Sequence, residues 1–272
     1  FETFENEQGD DIPLHPDTYR VLSAARSNGA TASAIHENEK HLVCKEDGDC
    51  EYNIKISFDP DNFDLIIGSP QHAHVDTYNE DRCILIDEDA ADSYEEDIKA
   101  GAVNTSINYY LEKEDKIDVD SKKELSNLDP QVKLEVLDYV STEADMFDPG
   151  LAINTLGGRA DSAALLRAIL EYDTLDKSGF EYASFTDSDG GQITTVRDTL
   201  YAEDMTIRRP PTFRNRHALV ALDGTPHEGM WEGRLGRSLE YGKVLDEDHT
   251  RYYINELLNY RVYQTSRNMN PY

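Results

Sequence analysis

The sequence predicts an α/β fold in which a partial parallel sheet is interrupted by a mainly helical insertion. Three short apolar runs, Phe63–Gly68, Cys83–Ile86 and Ala218–Leu222, have the length and composition of buried strands. Residues 93–209, between the second and third runs, are instead rich in helix-forming Glu and Lys. We therefore expect three segments: residues 1–92 with the first strands, the insertion 93–209, and residues 210–272, which return to the sheet.

Local patterns predict the remaining elements. Helical spacing of apolar residues predicts helices, and a run of Asp and Gly between Tyr- and Thr-rich stretches predicts a hairpin turn. The predicted helices begin at Pro16 and cover 121–145, 160–172 and 230–239; the hairpin lies within 180–208 with its turn at Asp187–Gly191; a further strand is expected at Asn259–Thr265.

The second apolar run ends in three acidic residues, Asp87, Glu88 and Asp89. Open α/β sheets bind ligands outside the carboxyl ends of their strands. Carboxylates at such an end can hold the Mg2+ of a bound nucleotide and direct an attacking water, which predicts Asp87 as metal ligand and Glu88 as catalytic base. The alternative, equally weighted from these residues alone, is an ordinary strand followed by a solvated acidic turn.

The charge balance indicates adaptation to high salt. The chain has 55 acidic residues against 26 Lys and Arg, a net charge of -29, and the acidic residues are spread along its whole length. Self-repulsion on this scale is largely screened in molar salt, where the Debye length is about 3 Å. We expect a salt-loving source, such as a haloarchaeon or one of its viruses. In that setting an acidic surface does not exclude a nucleic-acid partner.

Cysteine content and hydropathy predict a cytoplasmic protein. Three cysteines are too few for a disulfide framework, and no apolar run approaches the roughly 18 to 20 residues of a membrane span. Cys83 is expected in the core. His41, Cys44 and Cys50 share a polar, turn-rich segment, with His36 nearby, and could hold zinc; free thiols or a disulfide are the alternatives.

Three segments resemble motifs of superfamily 2 DNA helicases. Asp87–Ala90 is similar to their DExx box (motif II), and Leu222–Pro226 resembles the Ser-Ala-Thr element (motif III), with Thr225 at the matching position. Ser69–His74 resembles the Thr-Asn-His-Ala segment of the iron-sulfur members. Those members also carry a cysteine-bearing loop before that segment and a helical arch between motifs II and III. Residues 93–209 occupy the same interval.

The resemblance implies a fragment of the first RecA-like motor domain of a P-loop NTPase. ATP and Mg2+ would be the cofactors, Asp87 and Glu88 would bind and hydrolyse the nucleotide, and Thr225 would couple hydrolysis to movement. Cys44, Cys50 and His41 would hold zinc or part of an iron-sulfur cluster, although a cluster needs four ligands. No Gly-x-x-x-x-Gly-Lys-Ser/Thr sequence occurs, so the phosphate loop is expected upstream of Phe1.

Nucleic acid, with DNA favoured, is the predicted partner. His72 and His74 would face one side of an extended segment and contact it, and Arg208 and Arg209 begin the densest basic cluster of the chain, which continues to Arg214 and Arg216. The alternatives without a nucleic-acid contact are that the two histidines are an ordinary surface pair and that the arginines form ion pairs with neighbouring carboxylates.

Two rival functions remain open from the sequence. A metal-dependent nuclease would use Asp87, Glu88 and Asp89 directly as ligands for two metal ions and would need no ATP. A degenerate motor domain kept as an interaction module would hydrolyse nothing.

Overall fold

A computed structural model shows a mixed α/β chain with a small parallel sheet and a larger antiparallel sheet. The structure describes residues 3–5, 11–13, 16–38, 58–87, 93–153, 157–175, 179–200, 203–223, 227–242, 247–252 and 256. The predicted strand Asn259–Thr265 lies outside these ranges.

The secondary structure elements are as follows. The strands are β1 (Thr3–Glu5), β2 (Asp11–Pro13), β3 (Cys83–Asp87), β4 (Glu95–Ile98), β5 (Asp173–Leu175), β6 (Phe180–Thr186), β7 (Gln192–Asp198), β8 (Met205–Arg208) and β9 (Ala218–Leu222). The α-helices are α1 (Pro16–Ser27), α2 (Ala32–Asn38), α3 (Asp76–Asn79), α4 (Ala100–Lys113), α5 (Lys122–Asn127), α6 (Pro130–Glu143), α7 (Pro149–Ile153), α8 (Ser162–Glu171), α9 (Glu228–Leu235) and α10 (Glu247–Tyr252), and 3-10 turns cover Pro60–Asn62 and Pro70–His74.

Strands β3 and β9 form the parallel sheet, which confirms both predicted strands. They pair in register from Cys83 with Ala218 to Asp87 with Leu222. Alternate residues of both strands pack on α9 around the buried Trp231. The opposite face is open, and Leu85 there is 64% exposed. Parallel sheets are normally covered on both faces, so this pair has the sequence of a buried sheet but is covered on one side.

The prediction of a buried strand at Phe63–Gly68 is wrong. The segment joins no sheet in the described part of the chain, and Ile67 is 88% exposed. The guanidinium of Arg82 donates to the carbonyl of Phe63, the first residue of the segment, at 2.8 Å and also to that of Pro60 in the preceding 3-10 turn. A side chain therefore satisfies the first carbonyl that the predicted strand would offer to a neighbouring strand. The run of apolar residues predicts a strand from composition alone, and it does not show that a neighbouring strand is available to pair with it.

The 93–209 insertion is a two-layer unit and not mainly helical. Its helices pack on one face of an antiparallel sheet with strand order β4-β8-β7-β6-β5. Helix α8 lies between this sheet and helices α4 and α6, and its Leu165 and Leu166 are fully buried. The predicted hairpin is confirmed as β6 and β7. The other strands escaped notice because they are short, and β4 reads as the acidic sequence Glu95–Ile98.

The predicted helix 121–145 is two helices. Ser121 caps α5 by accepting a hydrogen bond from the Glu124 amide at 3.2 Å. Asp129 then caps α6, accepting from the Gln131 amide at 2.9 Å, and Pro130 occupies its first turn. A new cap followed by proline ends one helix and begins the next.

Strands β4 and β8 form the neck where the insertion leaves and rejoins the parallel strands. Glu95 lies opposite Arg208 and binds its guanidinium, with Nε 2.8 Å from Oε2. Further along, Thr206 donates to Asp97 at 2.6 Å. Strand β9 begins beside Cys83, at the end of the parallel pair opposite Asp87, so the segment after Arg208 runs back to the amino end of the pair before it enters β9.

The N-terminal helices pack against the insertion. Ala25, Ala30 and Ile35 of this region share a small core with Ala152 and Ile153 of α7. Gly29 has φ of 88° in the turn between α1 and α2, a backbone conformation that favours glycine. None of the described helices is long and apolar enough to cross a membrane.

Candidate functional site

The carboxyl edge of the β3–β9 pair brings two acidic positions together. Asp87 ends β3 opposite Leu222, so Asp223, the next residue, leaves β9 at the same edge. Because the strands are parallel, residues from the two sides of the whole insertion meet here. Asp87 is exposed and forms no ion pair with any residue that the structure describes. Glu88, Asp89 and Thr225 lie outside the described residues.

Asp223 is held by the helix that follows it. The indole Nε1 of Trp231, on α9, donates to Asp223 Oδ2 at 2.9 Å. Trp231 is only 2% exposed and packs with Ile86 and Leu235. The helix begins at His227, whose Nδ1 accepts from the Met230 amide at 3.3 Å. A buried indole therefore fixes the position of an acidic group at the end of β9.

His72 and His74 do not face one side of an extended segment, as the sequence had suggested. They lie in the 3-10 turn Pro70–His74, where residues two apart point in different directions. His72 stands edge-on to Tyr78 at 6.3 Å between ring centroids, and His74 edge-on to Tyr94 at 5.8 Å. The two rings thus belong to different surroundings.

His74 has an environment that disfavours its charge. Its ring keeps an exposed edge, but partial burial, with the nearby Arg209 guanidinium adding to it, lowers the pKa of His74 to about 4. The imidazole is therefore neutral near pH 7 and cannot attract phosphate as a cation there.

Arg208 and Arg209 point to different partners. Arg208 binds Glu95 across the neck and also donates to the Gly233 carbonyl at 3.3 Å. Arg209 lies over the ring of Phe147, 3.6 Å from its centroid, and its backbone amide donates to Tyr94. Arg208 is thus occupied in holding the neck together, whereas Arg209 makes a cation–π contact within the fold.

The cysteine predictions have different outcomes. Cys83 is exposed rather than in the core, because it shares the open face of β3 with Leu85. His41, Cys44 and Cys50 lie outside the described residues. Among the residues that are described, including His36, no group of three or more His, Cys, Asp or Glu is placed to hold a metal ion.

A buried ionic junction escaped the sequence reasoning. Arg159 binds both oxygens of Asp161 through Nε (2.8 Å) and Nη2 (2.9 Å), and the same Nη2 lies 2.8 Å from Glu96. Its Nη1 donates to the Ser27 carbonyl at 3.2 Å. Burial raises the pKa of Glu96, while Arg159 opposes the rise. The junction ties α1, β4 and the start of α8 together, and only the close pair Arg159 and Asp161 was visible in the sequence.

No protein-family model, curated protein or solved structure matches this chain, so the functional argument depends on its own geometry. That geometry offers a solvent-exposed carboxylate at the end of a parallel strand. A second carboxylate, fixed by an indole, lies at the end of the neighbouring strand. Such an edge can present oxygen ligands to a hard cation.

Proposed function

We propose that the chain is part of the first RecA-like domain of an ATP-dependent nucleic-acid motor of helicase superfamily 2, with DNA as the favoured partner. One observation carries the proposal: β3 and β9 are parallel neighbours in register despite the long insertion between them. In motor domains of this kind the segment after one strand binds the nucleotide, and the segment after the other transmits the change on hydrolysis, so the two must lie at one edge of the sheet. The adjacent carboxyl ends of β3 and β9 support the proposal for that reason.

The chain's own groups would divide the work of ATP hydrolysis. Asp87 is exposed and has no charged partner among the described residues, so its carboxylate is open to coordinate Mg2+, which would neutralise charge on the phosphates. Glu88 follows directly and would orient the attacking water and accept its proton. Thr225, two residues after Asp223 in the sequence, would carry the change to the nucleic-acid surface.

The open face of the parallel pair supports a larger sheet. Leu85, Val220 and Leu222 are exposed there, whereas RecA-like sheets are covered on both faces. We propose that elements outside the 272 residues complete the sheet and supply the phosphate-binding loop. His41, Cys44 and Cys50 would add a zinc or iron-sulfur site, and the protein would work in the cytoplasm.

The test is ATP hydrolysis by the full-length protein in molar KCl, with and without single-stranded DNA. Glu88→Gln should lower turnover by roughly 100-fold or more, because it removes the base and leaves the shape of the side chain. The matched control is Glu80→Gln, which makes the same change at an exposed position before the start of β3. Equal turnover in Glu88→Gln and wild type would refute the assignment.

The same experiment separates the rival functions. Metal-dependent DNA cleavage without ATP, lost in Asp87→Asn, would favour the nuclease. Neither hydrolysis nor cleavage under any of these conditions would leave the non-catalytic interaction module.

A further inference from the structure

The loop between β8 and β9, residues 210–217, gathers arginines at the amino edge of the parallel pair; we call it the arginine loop. Arg214 and Arg216 belong to it, and Arg237 joins it from beyond α9. Arg237 Nη2 donates to the Thr212 carbonyl at 2.9 Å, and Arg216 Nη1 donates to the Phe213 carbonyl at 2.5 Å. Both guanidiniums therefore hold the same short stretch of backbone.

These arginines use neutral partners although carboxylates are abundant. No ion pair joins Arg214, Arg216 or Arg237 to an acidic residue within the described ranges. Burial, with the neighbouring Arg216 adding to it, lowers the pKa of Arg237. An acidic residue is near, since the Asp81 amide donates to the Asn215 carbonyl at 2.9 Å, yet the Asp81 carboxylate forms no ion pair with these arginines. Their charge remains available to an external anion.

The backbone of the loop is held in an unfavourable conformation. Phe213 and Asn215 have φ of 47° and 57°, a region that Asn tolerates but Phe rarely adopts. Phe213 is fully buried and anchors the loop in the core beside Trp231. Arg214, between the two, is exposed. Strained backbone of this kind persists where the surrounding structure enforces it, and it is common at binding sites.

The turn of the β6–β7 hairpin lies beside Arg214. A Cβ atom placed on Gly190 would be 2.9 Å from Arg214 Nη2. The Asp187 carboxylate of this turn accepts from the Gly191 amide at 2.6 Å, and neither Asp187 nor Asp189 forms an ion pair with Arg214. The insertion thus reaches the arginine loop without an ion pair to it.

We propose that the arginine loop, with Arg237, binds the phosphates of a single-stranded nucleic-acid backbone. Guanidinium groups match phosphate oxygens with paired hydrogen bonds. Arg214 is exposed and Arg216 and Arg237 are half-buried beside it. An open surface of this kind suits an extended polyanion better than a mononucleotide, which needs an enclosing cavity. This proposal rests on the proposed function and extends it, because it gives the motor a surface that contacts the nucleic acid at the edge opposite Asp87. Binding of the strand to this surface needs no ATP.

The test is binding of a fluorescein-labelled oligothymidylate to the full-length protein without ATP or Mg2+, over the KCl range in which circular dichroism shows a folded chain. Arg214→Gln with Arg216→Gln should weaken binding roughly tenfold. The slope of log affinity against log salt should become shallower by about 1.4, which corresponds to two phosphate contacts on a single strand. Arg214→Glu alone should weaken binding further than Arg214→Gln, and its folding should be unaffected because the side chain makes no hydrogen bond to a described residue.

The matched control is Arg20→Gln with Lys123→Gln, which removes the same charge at exposed positions on α1 and α5. It should change affinity less than twofold. Equal weakening in the control, an unchanged salt slope in the loop variant, or no binding by wild type would each overturn the proposal. So would release of the labelled strand by ATP or inorganic phosphate as effectively as by unlabelled strand, since that indicates a mononucleotide or phosphate site. Binding is measured without ATP or Mg2+, so failure of the hydrolysis test and failure of this one can be told apart.

Discussion

The two ends of the β3–β9 pair carry opposite charge. At the carboxyl edge Asp87 is exposed and Asp223 is held by the indole of Trp231. At the amino edge Arg216 and Arg237 are held by backbone carbonyls. Within the described ranges Asp87 forms no ion pair, and Arg216 and Arg237 are held by neutral carbonyls and form none either.

The neck of the insertion does the opposite. Arg208 binds Glu95, Lys99 lies 2.7 Å from Asp204, and Arg159 binds Asp161. Charges in this region are cancelled within the chain and serve to join elements. Charged groups that form no ion pair with a described residue are suited to external ligands of opposite sign, Asp87 to a cation and the arginines to phosphates.

The largest expected effect concerns Phe213, the buried residue that anchors the arginine loop at the amino edge. Phe213→Ala should lower the free energy of unfolding by about 3 to 5 kcal/mol, because the ring is fully buried and its removal leaves a cavity. Chemical denaturation in molar KCl would measure it. Phe63→Ala is the matched control, since Phe63 is half exposed and should cost less than about 1 kcal/mol. Similar losses in both variants would mean that Phe213 does not anchor the loop.

The next largest expected effect on stability concerns the hydrogen bond from Trp231 to Asp223 at the carboxyl edge. Trp231→Phe keeps an aromatic ring in the core but removes the donor to Asp223, and should destabilise the fold by about 2 kcal/mol. The same substitution in an Asp223→Ala background should cost less, and the difference between the two losses measures the coupling. Equal losses in both backgrounds would show that packing alone accounts for the role of Trp231.

Strands β3 and β9 could be predicted because their apolar runs are short, bounded and followed by polar residues. The β6–β7 hairpin could be predicted because Gly190, with φ of 74°, occupies a turn position that favours glycine. Phe63–Gly68 has the same apolar pattern as a strand, yet the carbonyl of Phe63 accepts a hydrogen bond from Arg82. The spacing of apolar residues predicts which face of a segment can be buried, but it does not predict which strand the segment will pair with.

The site was predictable only in part for the same reason. A run of acids after an apolar strand marks the carboxyl edge directly. Arg237, by contrast, acts on Thr212, 25 positions earlier, and nothing in its own surroundings predicts that contact. The basic cluster was visible in the sequence, but Arg208 binds a carboxylate only because β4 lies beside β8, whereas Arg214 and Arg216 form no ion pair with a described residue.

The smallest expected effect concerns His74, which lies near the neck and carries no charge at neutral pH. Its pKa is about 4 in the folded protein and near the ordinary 6.5 in the unfolded chain, so the unfolded state binds more protons between these values. Stability from this group is therefore complete above about pH 6.5 and decreases as the pH falls towards 4. When the pH falls from neutral to about 5, wild type should lose more unfolding free energy than His74→Gln. The difference should be less than about 1 kcal/mol, because the exposed edge of the ring is solvated.

The control for this change is His72→Gln, at the exposed middle of the same 3-10 turn, and denaturation at both pH values measures all three proteins. Carboxylates contribute to the loss in each, so the difference between the two variants isolates His74. If His74→Gln lost as much stability on acidification as His72→Gln, the imidazole would already be solvated in the folded state.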